Sequence, residues 1–150
     1  MTNGDWTGKL IDRGSDWTGL VRRSYITIKG KNGNYLTIIT GYRCSKLAIK
    51  NAGPKTALFQ QYSIMREKGE KNPSPATAFF RDLSKWMQPK IENGDEILLT
   101  IDAKEECTED SDVKKITQAN GLYNLATEMY EDLPPTKPQS GNKIDFLFGT

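Results

Sequence analysis

The stretch Ile97-Leu98-Leu99-Thr100-Ile101-Asp102 constrains the fold of this 150-residue chain more than any other. Four of its six residues are large and apolar, they follow the turn Asn93-Gly94-Asp95, and no helical spacing organises them. A short apolar run entered from a turn is expected to be a strand buried on both faces. Asp102 then falls where the strand runs out, at the carboxyl edge of a sheet, where open α/β sheets place their ligand sites. An ordinary capping Asp that opens the next loop is the alternative. A second acid, Asp145, stands in Lys143-Ile144-Asp145-Phe146-Leu147-Phe148, inside an apolar strand where an unpaired charge is costly. Two strands that each carry an acid suggest a shared polar site.

The remaining pattern surrounds this strand with helices. Ser24–Ile28 and Tyr35–Thr40 alternate and are rich in β-formers, with Gly30–Asn34, containing Asn-Gly, as the turn between them. Ala57 to about Lys68 places Leu58, Phe59, Tyr62 and Met65 on one helical face. A second helix starts at Ser74 as N-cap with Pro75 in its first position, and carries Phe79, Phe80, Leu83, Met87 and Ile91. Ser111 to Ala119 is expected to be helical and closed by Asn120-Gly121, and Leu122, Leu125, Met129 and Leu133 mark a further short helix. Interleaved strands and helices define an α/β class. Residues 1–22 receive no element. They contain Asp5-Trp6-Thr7-Gly8 and its repeat Asp16-Trp17-Thr18-Gly19, which read equally as two turns, each with its Trp packed on a neighbour, or as a duplicated hairpin fragment, and neither copy is assigned a function.

Composition narrows the chemistry. The chain has no histidine, which excludes a Ser-His-Asp triad, a Cys-His pair and a histidine-bearing zinc site formed within it. Any metal would take oxygen ligands, which suits Mg²⁺ or Mn²⁺. Residues 1–75 hold 13 Lys/Arg against 5 Asp/Glu, and residues 76–150 hold 8 against 14. A basic half beside an acidic half fits a polyanion held by one and a metal held by the other, though solvated surface that happens to segregate gives the same counts. The loop from Arg43 through Lys46 and Lys50 to Lys55 concentrates the basic residues. Its Gly53-Pro54-Lys55-Thr56 is no phosphate-binding loop, because Pro54 precedes the lysine and position 49 is Ile. The acidic loop with Glu105, Glu106, Glu109 and Asp110 lacks the spacing and Gly of an EF-hand and is expected to be solvated. Cys44 and Cys107 have no partner at metal-ligand spacing and read as reduced thiols. With a mean hydropathy of −0.63, a polar stretch from Met1 to Gly19 and no apolar run of membrane length, an intracellular, non-secreted protein without a membrane span is expected.

Taken together, the strand ending Thr40-Gly41-Tyr42-Arg43, the strand ending Ile101-Asp102-Ala103-Lys104-Glu105 and the segment Lys143-Ile144-Asp145-Phe146-Leu147 resemble the endonuclease/exonuclease/phosphatase family, the deoxyribonuclease-I-like fold. Gly53-Pro54-Lys55-Thr56, Asn72-Pro73-Ser74-Pro75 and Asn120 to Tyr123 resemble, more narrowly, a divergent branch found in mobile elements. The resemblance covers roughly residues 20–150. It implies a four-layered α/β sandwich of two packed sheets, and hydrolysis of phosphoesters, commonly in DNA or RNA, with Mg²⁺ or Mn²⁺. It also implies roles. Asp102 would orient or deprotonate the attacking water and help hold the metal, and Asp145 would orient a catalytic His. Tyr42 would lie near the scissile phosphate, and Arg43, Lys55 and Lys104 would hold phosphate.

The departures matter equally. Lys104 stands where the resemblance implies Asn, and its ammonium would compete with a metal at Asp102. The family's metal-binding Glu has no counterpart upstream of Tyr25, and its closing Ser-Asp-His is absent. The chain is therefore expected to be the second half of the domain, cut short of the catalytic His. It would be a segment of a metal-dependent phosphodiesterase or endonuclease, inactive alone, with a bare sheet face open to a missing half-domain or to self-association. The alternative is a non-catalytic nucleic-acid-binding or interaction module descended from that fold.

Overall fold

The computed structural model describes residues 8–30, 33–131 and 133–150. Their elements, in chain order, are β1 (Leu10–Ser15), β2 (Arg23–Lys29), β3 (Tyr35–Tyr42), α1 (Ala57–Glu67), α2 (Pro75–Glu92), β4 (Glu96–Asp102), α3 (Asp112–Ala119), β5 (Tyr123–Asn124), α4 (Leu125–Met129) and β6 (Asp145–Gly149). The strands form one sheet in the order β1-β2-β3-β4-β6-β5. β3 and β4 run parallel, and the other pairs are antiparallel. The parallel pair needs a long crossover, which α1 and α2 supply.

The helices form where capping and apolar spacing expect them. Thr56 caps α1 by accepting from the Phe59 amide, and Ser111 caps α3 by accepting from Lys114. Ser74 precedes α2 as expected, but its hydroxyl bonds Thr77 Oγ1 at 3.0 Å instead of a backbone amide. Phe79, Leu83 and Met87 of α2 are fully buried in one cluster with Ile39, Ile97, Leu99, Ile101 and Phe148. Each such side chain contributes about 1.5–3 kcal/mol of burial. α2 approaches β3 so closely that a Cβ on Gly41 would meet Phe79 at 3.1 Å, which explains a glycine inside a central strand.

Three expectations are corrected here. β4 is not buried on both faces: Ile97, Leu99 and Ile101 are buried, whereas Leu98, Thr100 and Asp102 are only half-buried. Helices cover one face of the sheet. Residues 1–22, given no element, include β1, whose residues are almost all exposed. An edge strand with little to bury has no apolar alternation to betray it. The last helix ends at Met129 and is preceded by the two-residue strand Tyr123–Asn124. The first Asp-Trp-Thr-Gly copy, apart from Gly8, and Lys31-Asn32 of the hairpin turn lie outside the described residues.

The sheet's second face carries Ile26, 41% exposed, with Leu36, Ile38, Leu98 and Leu147 half-buried. Pairing sets Ile26 beside Ile38 and Ile38 beside Leu98, so these side chains make a continuous apolar band. At the β6 end Leu125 lies against this face, where a Cβ on Gly149 would meet it at 3.0 Å.

Candidate functional site

Strand register assembles the acids. Tyr42 pairs with Asp102 across β3–β4, and Asp102 pairs with Asp145 across β4–β6. The three side chains form one row at the carboxyl ends of β3 and β4. Even-numbered positions of β4 point away from the helices, so the row lies on the half-exposed sheet face. Tyr42 is 42% exposed. Asp145 opens its strand and is exposed, so it bears none of the burial cost expected of an acid inside an apolar run. Its amide and that of Ile144 both donate to Thr136 Oγ1, at 3.2 and 2.9 Å.

Asp102 is already engaged. Its Oδ2 lies 2.5 Å from Lys104 Nζ, while its Oδ1 is buried without a hydrogen-bond partner. The positive φ of Lys104, 54°, turns the chain so that its side chain returns over the row. This conformation is uncommon for a non-glycine residue. The ammonium also lies 5.4 Å from the centroid of the Tyr42 ring. The hydrogen bond with Asp102 raises the Lys104 pKa against a smaller effect of burial, and the nearby Asp102, Tyr42 and Asp145 add to the rise. Two carboxylates directly opposite on neighbouring strands repel, and the ammonium offsets that repulsion.

The row does not suit a divalent metal ion. Among the described residues there is no group of three or more Asp, Glu, Cys or His able to hold one. Two carboxylates are present here, and one already binds a cation of the chain itself.

Arg43 does not serve this site. One residue beyond Tyr42 it points to the opposite side and is completely buried. It donates to the carbonyls of Ala76 (3.1 Å) and Ala103 (2.7 Å), pairs with Glu105 (3.2 Å) and Asp112 (3.6 Å), and packs 5.1 Å from the Phe80 centroid. A guanidinium so committed has no face left for phosphate, and the expected role is corrected to a structural one. Lys46 joins the same acids, at 3.1 Å from Glu105 and 2.8 Å from Asp112. The hydrogen bond from Lys46 holds the Asp112 carboxyl below its usual range. Glu105, expected to be solvated, also accepts from the Val113 amide at 2.9 Å. Lys55 is exposed in the turn before α1 and belongs to no strand of the row.

A buried charge cluster escaped the sequence reading. Arg22 is buried, with Nε 2.8 Å from Asp16 Oδ2 and a terminal nitrogen 2.7 Å from Asp82. Arg23, also buried, lies 3.8 Å from Asp16. Burial alone would raise the Asp16 pKa, but hydrogen bonds from Arg22 and Thr18 outweigh it and hold the carboxyl at about 2. The available signal was the doublet Arg22-Arg23 directly before an alternating strand. Without the fold nothing distinguished it from surface charge.

No family model matches the chain, and no curated protein matches it. Solved structures do. The human Nocturnin catalytic domain with bound sulfate aligns at 12% identity with a TM-score of 0.59, over 94% of this chain and 47% of that one. Sphingomyelinase C from Streptomyces griseocarneus aligns over 91% and 44% at 11% identity (TM-score 0.46), and a beta toxin from Staphylococcus aureus over 86% and 43% at 13% (TM-score 0.46). At these identities the likeness shows the fold, which rests on the first of them. The mixed α/β sheet matches roughly half of a deoxyribonuclease-I-like domain, and the chain spans about half the length of the structures it matches.

Proposed function

We propose that the chain is a segment of a phosphodiesterase or endonuclease domain that acts on nucleic acid, and that it is inactive by itself. The observation that carries this is the row Tyr42–Asp102–Asp145 at the carboxyl edge of a half-domain sheet. In this reading Asp102 orients the attacking water, Asp145 orients a catalytic His supplied from outside this chain and Tyr42 flanks the phosphate. Lys104 supplies a positive charge to a phosphate oxygen. The acids here hold no metal by themselves, so any catalytic cation would need ligands from outside the described residues. An intracellular setting belongs to the same reading. Burial pushes the thiols of both Cys44 and Cys107 up, so they stay protonated and slow to oxidise.

A second reading, a non-catalytic binding module, is favoured by one specific contact, the ion pair that ties up Asp102. Plasmid nicking in millimolar Mg²⁺ or Mn²⁺, together with Mn²⁺ binding followed by electron paramagnetic resonance, separates the two. The unaltered chain is expected to nick nothing, and nicking that disappears in Asp102→Asn would overturn its inactivity. Lys104→Asn frees Asp102. A gain of Mn²⁺ binding in that variant, abolished by adding Asp102→Asn, supports descent of the site from a metal-dependent hydrolase. No gain favours the binding module.

We infer further that a second sheet covers the band Ile26–Ile38–Leu98, and that copies of the isolated chain cover it for one another. Sedimentation should show association that rises with concentration, and Ile26→Lys should return the chain to monomer. A wild-type chain that stays monomeric at high micromolar concentration would contradict this.

A further inference from the structure

The second Asp-Trp-Thr-Gly copy lies next to α2 and leaves its Trp17 73% exposed, against the expectation that this ring packs on a neighbour. The turn that presents the ring is held firmly. Asp16 Oδ1 accepts from the Thr18 amide (3.1 Å) and hydroxyl (2.6 Å), and the Lys68 ammonium donates to the Thr18 carbonyl. Trp17, Trp86, Arg81, Lys85 and Asp82 line a cavity of about 430 Å³, within the size range of small-ligand sites.

The charges around this cavity are unbalanced. Asp82, its one acid, is neutralised by Arg22 (2.7 Å) and Arg81 (2.9 Å). Arg81 is otherwise exposed to solvent and Lys85 is exposed. Lys90, just over a turn beyond, lies 5.0 Å from the Trp86 ring centroid, and Arg23 lies 5.5 Å from it on the buried side of the molecule. The other acids in the neighbourhood are Asp16, buried on Arg22 and Arg23, Asp12, which accepts from the Tyr25 hydroxyl, and Glu70, whose charge reaches Arg81. A large exposed ring beside a half-buried one, with cations spaced along a helix, is the combination that binds flexible polyanions carrying planar groups.

The geometry points to a second binding site, along α2, for single-stranded nucleic acid: Trp17 stacks a base, and Arg81 and Lys85 take flanking phosphates. The site uses none of the Asp102 row, so it stands or falls apart from the proposed phosphodiesterase ancestry. Single strands are specified because their bases are free to stack, whereas those of a duplex are already paired.

The test is fluorescence anisotropy of a dye-labelled 15-nucleotide oligo-dT titrated with the chain at several salt concentrations. Wild type is expected to bind, with affinity falling as salt rises. Trp17→Ala should weaken binding about 5- to 100-fold, and Trp17→Phe, which keeps a stacking face, should retain most of it. Arg81→Gln with Lys85→Gln should flatten the log–log salt slope by about 1.4, two single-strand phosphates' worth. Circular dichroism should show Trp17→Ala folded, since so exposed a ring contributes little packing. Equal binding by Trp17→Ala, no binding by wild type at low salt, or displacement by polyglutamate as effective as by unlabelled oligo-dT would each overturn the site. So would loss of binding on Asp102→Asn, because it would place the strand at the sheet edge instead.

Discussion

Asp16→Ala is expected to cost about 3–5 kcal/mol, which consumes most of the stability of a domain at the low end, about 5 kcal/mol, of the usual range. Asp16 accepts four hydrogen bonds from Thr18 and Arg22, and Arg23 lies 3.8 Å away. With the carboxylate gone, two buried guanidiniums share only Asp82, and nitrogens of both already lack hydrogen-bond partners. An unpaired buried cation is costly because the interior cannot replace its hydration. Urea denaturation of the variant against wild type measures the loss. Asp12→Ala, which removes an exposed carboxylate near the same strand, should change stability by less than about 1 kcal/mol. Equal effects from the two would show that the buried cluster is not a keystone.

The same carboxylate predicts acid sensitivity. Its folded pKa of about 2 lies below the ordinary 3.8. The stabilisation is therefore complete only above about pH 5 and is lost as pH falls from there through 2. Its size is on the order of 1–2 kcal/mol after screening. The carboxyls of Asp82 and Asp112 are also held below their usual range and add loss in the same direction. Thermal unfolding followed from pH 6 to pH 2 should show the melting temperature dropping mainly below pH 4. Asp16→Asn should remove part of that drop.

Arg43→Ala is expected to destabilise the fold by about 3–5 kcal/mol and to do nothing specific to nucleic-acid binding. The side chain satisfies the carbonyls of Ala76 at the start of α2 and Ala103 just past β4, and it balances Glu105 in the loop and Asp112 at the start of α3. It therefore ties the crossover helix to the strand that carries Asp102. Arg43→Lys should not rescue stability, because one ammonium cannot span two carbonyls and two carboxylates in a planar fork. A variant with wild-type melting but weakened oligonucleotide binding would restore Arg43 as a phosphate ligand and refute its structural role.

Much of this fold was legible because it depends on local pattern. The hairpin alternation, the Ser74-Pro75 helix start and the apolar run at 97–101 each report a short-range preference that the tertiary structure had no reason to override. β1 was not legible, since its residues bury little and so carry no pattern. The two sides of β4 were misjudged because Leu98 is as apolar as Leu99. Only the absence of a covering helix makes one of them half-exposed.

For the candidate site, sequence determined which residues are acids, that no histidine is available, and that Asp102 and Asp145 belong to strands. These follow from composition and periodicity alone. Tertiary structure decided everything that depends on pairing and direction. Register placed Tyr42, Asp102 and Asp145 in one row, and a left-handed turn at Lys104 brought an ammonium onto Asp102. The two-residue period of a strand sent Arg43 inward while its neighbour Tyr42 faced out. A sequence states the charge of a side chain, but the sheet decides which side of the molecule that charge reaches and what it meets there.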